Sequence, residues 1–141
     1  MNRRVRIFLD ANIVFSAAKK DGAVQSLVAR LLDATHECWV DAYVIDEARR
    51  NLLAKAPERL PHCEQLLSRL RVASHVPAML GAQVAGLPEK DRVVLAAAAA
   101  LACDILVTGD RTHFGKLYGR VIAGVQIHSP RSLYDQLFPL S

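Results

Sequence analysis

The stretch from Val93 to Ala102 sets the tightest constraint on how this chain can fold: it is an unbroken run of Val, Leu and Ala. Leu87-Pro88-Glu89 lead into it, and Pro near a helix start followed by Glu89 and Asp91 is favourable N-terminal chemistry, so the spacing predicts a helix reaching Ala102. A helix that is apolar on nearly every side must be buried, and its alanines let a sheet approach closely. The run is far below the roughly 20 residues that a membrane span needs. The rest of the chain therefore has to supply a sheet for this helix to lie against.

The segments that could form that sheet are short and apolar, and they alternate with helical patterns. Val5 to Leu9 reads as a strand stopping at Asp10, and Ala11 to Lys19 as a helix with Ile13, Val14 and Ala17 on one face. Asp21-Gly22 breaks the chain, and Ala23 to Ala34 is a second helix with Val24, Leu27, Val28, Leu31 and Leu32 at helical spacing. Glu37 to Val40 reads as a strand and Ala42 to Ala56 as a helix ended by Pro57; a further helix runs from Pro61 to Leu70. Val72 to Val76 is expected to be a strand and Ala78 to Gly86 a short helix. Ile105 to Val107 is a buried strand, Thr108-Gly109-Asp110 a turn, and Arg111 to Tyr118 a short helix. Val121 to Ile127 contains another strand, and Pro130 to Leu137 a closing helix. Strands alternating with helices predict an α/β fold with a mainly parallel sheet covered on both faces. Repeats and linkers are absent from the pattern, so residues 1–141 are expected to be one domain.

Composition narrows the class. Hydrophobic residues make up 52% of the 141 and aromatics 6%, enough for a core of Ala, Val, Leu and Ile and too apolar for a disordered chain. The formal charge of +4 is compatible with a nucleic-acid partner without selecting one. Cys38, Cys63 and Cys103 are odd in number and far apart, which argues against a disulfide framework or zinc knuckle and for small buried hydrophobes. With no signal-peptide pattern and no span, a cytoplasmic protein with no membrane partner is expected.

The placement of the acids carries the chemistry. In open α/β sheets, ligands bind beyond the carboxyl ends of the strands. Asp10 ends the first strand and Asp110 follows the strand Ile105 to Val107, while Asp91 sits in the first turn of the buried helix, where the helix dipole favours an anion. Glu47, in the helix after the second strand, can join them only if the fold brings it near, and Asp46 stands beside it as the alternative. Gathered carboxylates raise one another's pKa, and a divalent cation removes that conflict. The five histidines show no ligand spacing and read as surface or core residues, so an all-oxygen cluster points to Mg²⁺ or Mn²⁺ rather than zinc. Such ions support phosphodiester hydrolysis. Arg49, Arg50, Arg92 and Arg111, each close in sequence to an acid, and Lys116 further along, are candidates to hold the phosphodiester polyanion. Each acid also has a plain structural reading: Asp10, Asn12 and Asp110 as helix N-caps, Asp91 as a helix-dipole partner, Glu47 as a solvated helix acid. Dinucleotide, P-loop and nucleophile-elbow motifs are absent from the sequence.

Four segments resemble the PIN-domain family: Val5 to Val14, ending its strand in Asp10-x-Asn12; Val44 to Leu52 around Glu47; Glu89 to Ala98 with Asp91; and Asp104 to Phe114 with Thr108-Gly109-Asp110. By eye the likeness is strongest to bacterial PIN proteins of the toxin type (VapC-like). The resemblance implies a Rossmann-like three-layer α/β/α fold and a Mg²⁺- or Mn²⁺-dependent endoribonuclease. It makes Asp10, Glu47, Asp91 and Asp110 the catalytic metal ligands, with Asn12 and Thr108 orienting them. It also implies a homodimer and, for a toxin, a small cognate antitoxin. Two other readings compete: a non-catalytic PIN-like module that binds RNA or protein, and a haloacid-dehalogenase-type phosphotransfer domain. The latter requires D-x-D, where this chain has Asn12 in the second position.

Overall fold

The computed structural model describes residues 3–73 and 87–139. Their strands are β1 (Arg6–Leu9), β2 (Glu37–Asp41), β3 (Arg71–Ala73), β4 (Ile105–Val107), β5 (Val121–Ile122) and β6 (Val125–His128). Around them lie α1 (Ala11–Lys19), α2 (Ala23–Asp33), α3 (Ala42–Lys55), α4 (Leu60–Leu67), α5 (Glu89–Ala100), α6 (Arg111–Phe114) and α7 (Pro130–Leu137). The strands form one sheet in the order β3-β2-β1-β4-β6-β5, parallel throughout except for β5, which runs antiparallel to β6.

Side chains alternate between the two faces of a strand, so a strand buried at every position has both faces covered. Ile7, Phe8 and Leu9 of β1 are fully buried, as are Leu106 and Val107 of β4, with Ile105 nearly so. The fold is accordingly the expected three-layer α/β arrangement. α5 packs against β4 and β6, and the consecutive residues Val94 to Ala98 are all buried, which encloses the helix on every side. α5 ends earlier than the apolar run suggests, with Leu101 as its cap and Ala102 turning into the left-handed region (φ 55°) on the way to β4. Cys38, Cys63 and Cys103 are buried free thiols, and burial pushes Cys38 and Cys103 up to about 12, which makes them inert packing groups. No helix among the described residues is long and apolar enough to cross a membrane.

Besides α5, other expected elements differ in the structure, and the helix expected from Pro61 to Leu70 is α4, which ends at Leu67. The strand expected over Val72 to Val76 is seen as Arg71–Ala73; its later residues, and the helix expected over Ala78 to Gly86, lie outside the described residues. The helix expected from Arg111 to Tyr118 is α6 followed by a 3-10 turn over Gly115–Leu117. The strand expected within Val121 to Ile127 is a hairpin. Ala123 (φ 53°) and Gly124 (φ 81°) form its two-residue loop, the pair of positive φ values that matches the twist of a tight hairpin. Asn or Asp usually signals such a loop at the first position, and Ala123 carries no such signal.

The topology singles out one place on the sheet. From β1 the chain moves outward through β2 to β3, and then returns to β4 on the other side of β1. That reversal opens a crevice at the carboxyl ends of β1 and β4.

Since α5 is enclosed, adding bulk to it should be resisted. Ala98→Leu, at a fully buried position, is expected to destabilise the protein by about 1–3 kcal/mol in urea denaturation. Ala100→Leu, on an exposed position of the same helix, should stay within about 0.5 kcal/mol of wild type.

Candidate active site

The crevice at the chain reversal is where the acids meet. Asp10 follows the last residue of β1, and its backbone N–H extends the β1–β4 ladder by donating to the Val107 carbonyl at 3.1 Å. Asp110 follows β4 by a short turn and precedes α6. α3 starts directly at the carboxyl end of β2, which puts Glu47 within its first turns. α5 runs back toward β4, so its first turn, with Asp91, lies at the same edge. Asp10, Asn12, Glu47, Lys90, Asp91, Val94 and Asp110 together line a cavity of about 20 Å³, space for a single ion or water. Glu47, rather than Asp46, faces this cleft: Asp46 lies on the exposed side of α3 in an ion pair with Arg50 at 3.2 Å.

Asn12 and Thr108 tie the two loops together. The Thr108 hydroxyl donates to Asp10 Oδ2 at 2.7 Å and accepts from the Asp110 backbone N–H at 3.1 Å. Asn12 accepts from the Gly109 N–H at 2.8 Å, and its amide nitrogen lies 3.3 Å from Asp10 Oδ2. An added Cβ at Gly109 would come to 3.4 Å of Asn12 Oδ1, a close contact at the side chain that joins the two loops. The plain capping roles coexist with this arrangement. Asp10 Oδ1 accepts from Ala11 N–H at 2.7 Å to start α1, and Asp110 Oδ1 accepts from His113 N–H at 3.1 Å to start α6. Asn12 lies inside α1 and is not its cap.

The electrostatics of the cleft are those of unresolved repulsion. Asp10 is 5% exposed, and its carboxyl is pushed up to about 6. Burial is the main cause; the bonds from Thr108 and Ala11 oppose it, and Asp91 and Glu47 add to it. Asp91, 3% exposed, is raised as well, chiefly by burial and also by Asp110 and Glu47, against His113 and Lys90. Its Oδ2 is buried without a hydrogen-bond partner. His113 Nδ1 is 2.8 Å from that oxygen, yet also 2.7 Å from Asp110 Oδ2, with which it makes the aligned hydrogen bond. A single ring nitrogen thus faces both carboxylates, and the hydrogen-bond geometry is met only toward Asp110.

The opposite, amino edge of the sheet treats its acids differently. There Asp104 takes the Arg6 backbone N–H at 2.9 Å and pairs with Arg3. Glu37 accepts from Trp39 Nε1 and lies beside Arg6 and Arg71, and these partners, the Trp39 bond foremost, hold its carboxyl below the usual range.

Several sequence expectations are refined by these positions. The inference that no histidine lies near the acids fails: His113 gathers with Asp91 and Asp110, their ligand atoms all within 4.8 Å of one another. The signal for it was local, three residues after Asp110 on one helical turn, but its second partner, Asp91, arrives only through the fold. Lys90 was also missed; it lines the cleft, its Nζ 4.0 Å from Glu47. Arg49 is turned to α4, where Glu64 holds its guanidinium at 2.9 and 2.6 Å. Arg50 is held by Asp46. Arg92, Arg111 and Lys116 are exposed and form no ion pair with another described residue. The donor set fits a divalent cation: a buried carboxylate oxygen without a donor, clustered acids with raised pKa, and space of ionic size.

An α/β domain with carboxylates gathered at a topological switch point is the class that fold and cleft define. The PIN domain family model matches residues 6–112, and the chain belongs to that family. Solved structures share the fold. PAE2754 from Pyrobaculum aerophilum superposes with a TM-score of 0.66 at 21% identity, covering 94% of this chain and 89% of that one. DNA-bound VapBC from Salmonella typhimurium gives 0.64 at 19% identity, covering 89% and 98%. FitAcB from Neisseria gonorrhoeae gives 0.57 at 17% identity, with the same coverage of 89% and 98%. No curated protein matches the sequence.

The raised Asp10 carboxyl has a definite sign in the metal-free protein. A folded-state value of about 6, above the ordinary 3.8, means that the folded state holds the proton more tightly. This contribution is favourable below about pH 4, is lost as pH rises toward 6, and stays lost above it. In EDTA, Asp10→Asn should therefore gain stability relative to wild type by about 2 kcal/mol between pH 4 and pH 7, read from urea melts at each pH. Thr108→Val, which removes the donor to a buried carboxylate, is expected to destabilise the protein by about 1–3 kcal/mol at pH 7 in the same assay.

Proposed function

We propose that this PIN domain is a metal-dependent endoribonuclease, the toxin component of a toxin–antitoxin module. The observation that carries the reading is the buried, donorless Oδ2 of Asp91 in a cleft lined by three further carboxylates. Such an arrangement is unfavourable for its own sake and becomes favourable with a cation. Asp10, Glu47, Asp91 and Asp110 would hold Mg²⁺ or Mn²⁺ there. When bound, such an ion lowers the pKa of an attacking water and offsets charge developing on the phosphate oxygens.

The chain's own residues divide the remaining work. Asn12 and Thr108 hold the Asp10 and Asp110 loops in register. Lys90, at the mouth of the cleft, offers a cation to the scissile phosphate. Arg92, Arg111 and Lys116 are exposed, and they can follow the RNA backbone away from the cleft. Arg49 and Arg50 would have to leave Glu64 and Asp46 to take part. The toxin assignment is supported by the shared fold with VapBC and FitAcB, and it brings with it a small cognate antitoxin, a homodimer and a cytoplasmic setting.

Purified protein incubated with a pool of cellular RNAs and Mn²⁺ is expected to cut at a recurring site, and to stop on addition of EDTA. Asp91→Asn should fold and reduce the rate by at least about a hundredfold, a loss of at least about 2.7 kcal/mol of transition-state stabilisation. A folded Asp91→Asn protein that cuts at the wild-type rate would remove Asp91 from the mechanism.

A further inference from the structure

His113 stands against Asp91 and Asp110, beside the cavity rather than among its lining residues, and it changes what kind of ion these acids suit. His113 Nδ1 lies 2.8 Å from Asp91 Oδ2 and 2.7 Å from Asp110 Oδ2. Neighbouring ligands on an ion with arms of about 2.1 Å stand about 3 Å apart, and the nitrogen already lies near that spacing from each carboxylate oxygen, with the ligand atoms of all three residues within 4.8 Å of one another. The Asp91 oxygen, on a side chain 3% exposed, has no other donor and is aimed at this point. α6 fixes the ring's approach: Asp110 caps it through the His113 N–H, and Phe114, fully buried, anchors the turn. The imidazole is itself only partly exposed.

We propose that His113 is a metal ligand through Nδ1, so that the cleft is a mixed nitrogen–oxygen site that favours Mn²⁺ over Mg²⁺. This rests on the reading of the cleft as a metal centre. Carboxylate oxygens serve Mg²⁺ and Mn²⁺ alike, whereas imidazole nitrogen favours transition ions, so one nitrogen shifts the preference without altering the charge of the carboxylate set. A nitrogen that ligates the ion does so without a proton, so binding at this site is expected to weaken at low pH. The remaining carboxylates keep a residual Mg²⁺ affinity.

The test uses the full chain with each metal alone. Calorimetric titration gives the Mn²⁺ and Mg²⁺ affinities, and pulsed electron paramagnetic resonance of the Mn²⁺ form reports a directly coordinated nitrogen. Two variants are compared, His113→Ala and His113→Gln; the second keeps bulk and an N–H donor but has no imidazole. Wild type is expected to show nitrogen modulation and to prefer Mn²⁺. Both variants should lose the modulation, and their Mn²⁺-to-Mg²⁺ affinity ratio should fall by about tenfold or more. Tight Mn²⁺ binding with no nitrogen modulation in wild type, or modulation that survives both substitutions, overturns the assignment of His113 and leaves the metal-centre reading standing. Failure of wild type to bind either ion overturns both.

Discussion

The proposed function rests on one physical constraint, the burial of carboxylates at a single crevice. Asp10 and Asp91 are both nearly inaccessible, both raised in pKa by that burial, and both facing further acids. Such an arrangement is costly on its own, and in the proposed reading a divalent cation completes it. The amino edge of the same sheet shows the ordinary solution: there Asp104 and Glu37 meet backbone donors, arginines and the Trp39 indole. The contrast is within one chain and one sheet, so it is a property of the crevice and not of the composition.

The fold makes this crevice by topology. A parallel sheet that is built outward from β1 on one side and then resumed on the other must part its connections between β1 and β4. The buried helix α5 carries the chain back, and so delivers Asp91 to the same edge. Asn12, Gly109 and Thr108 lock the two loops to each other, which turns two strand ends into one rigid support. The stability of the core and the placement of the acids are therefore the same problem, since the enclosed packing of β1, β4 and α5 sets both.

Much of this arrangement is legible in the amino-acid sequence. Apolar strands such as Ile105 to Val107 and the helical spacing of Val24, Leu27, Val28 and Leu31 mark their elements by period alone, because burial imposes that period. The acids at the strand ends were legible for the same reason: a strand's carboxyl end is a position along the chain. What could not be read were relations set by the third dimension or by unusual residues. His113 touches Asp91 across the fold, and nothing in the sequence pairs them. The β5–β6 hairpin turns on Ala123, which lacks the side chain that usually announces such a turn. Arg49 looked close to Glu47, but two residues along a helix is the opposite face, where Glu64 waits. The preference for Glu47 over Asp46 could be read, because Ile45 and Ala48 flank it on the core side of the helix, and Glu47 does line the cavity.

The central claim is that a divalent cation relieves a conflict built into the apo fold, and thermal unfolding reads that directly. Wild type and Asp91→Asn are melted in EDTA and in saturating Mn²⁺. The account predicts that Asp91→Asn melts above wild type in EDTA. It also predicts that Mn²⁺ raises wild type by several degrees, as about 2.7 kcal/mol of ligand stabilisation would at a hundredfold excess over Kd, and leaves the variant nearly unmoved. A variant that melts below wild type in EDTA and gains as much from Mn²⁺ would contradict it, because Asp91 would then be neither a source of strain nor a holder of the ion.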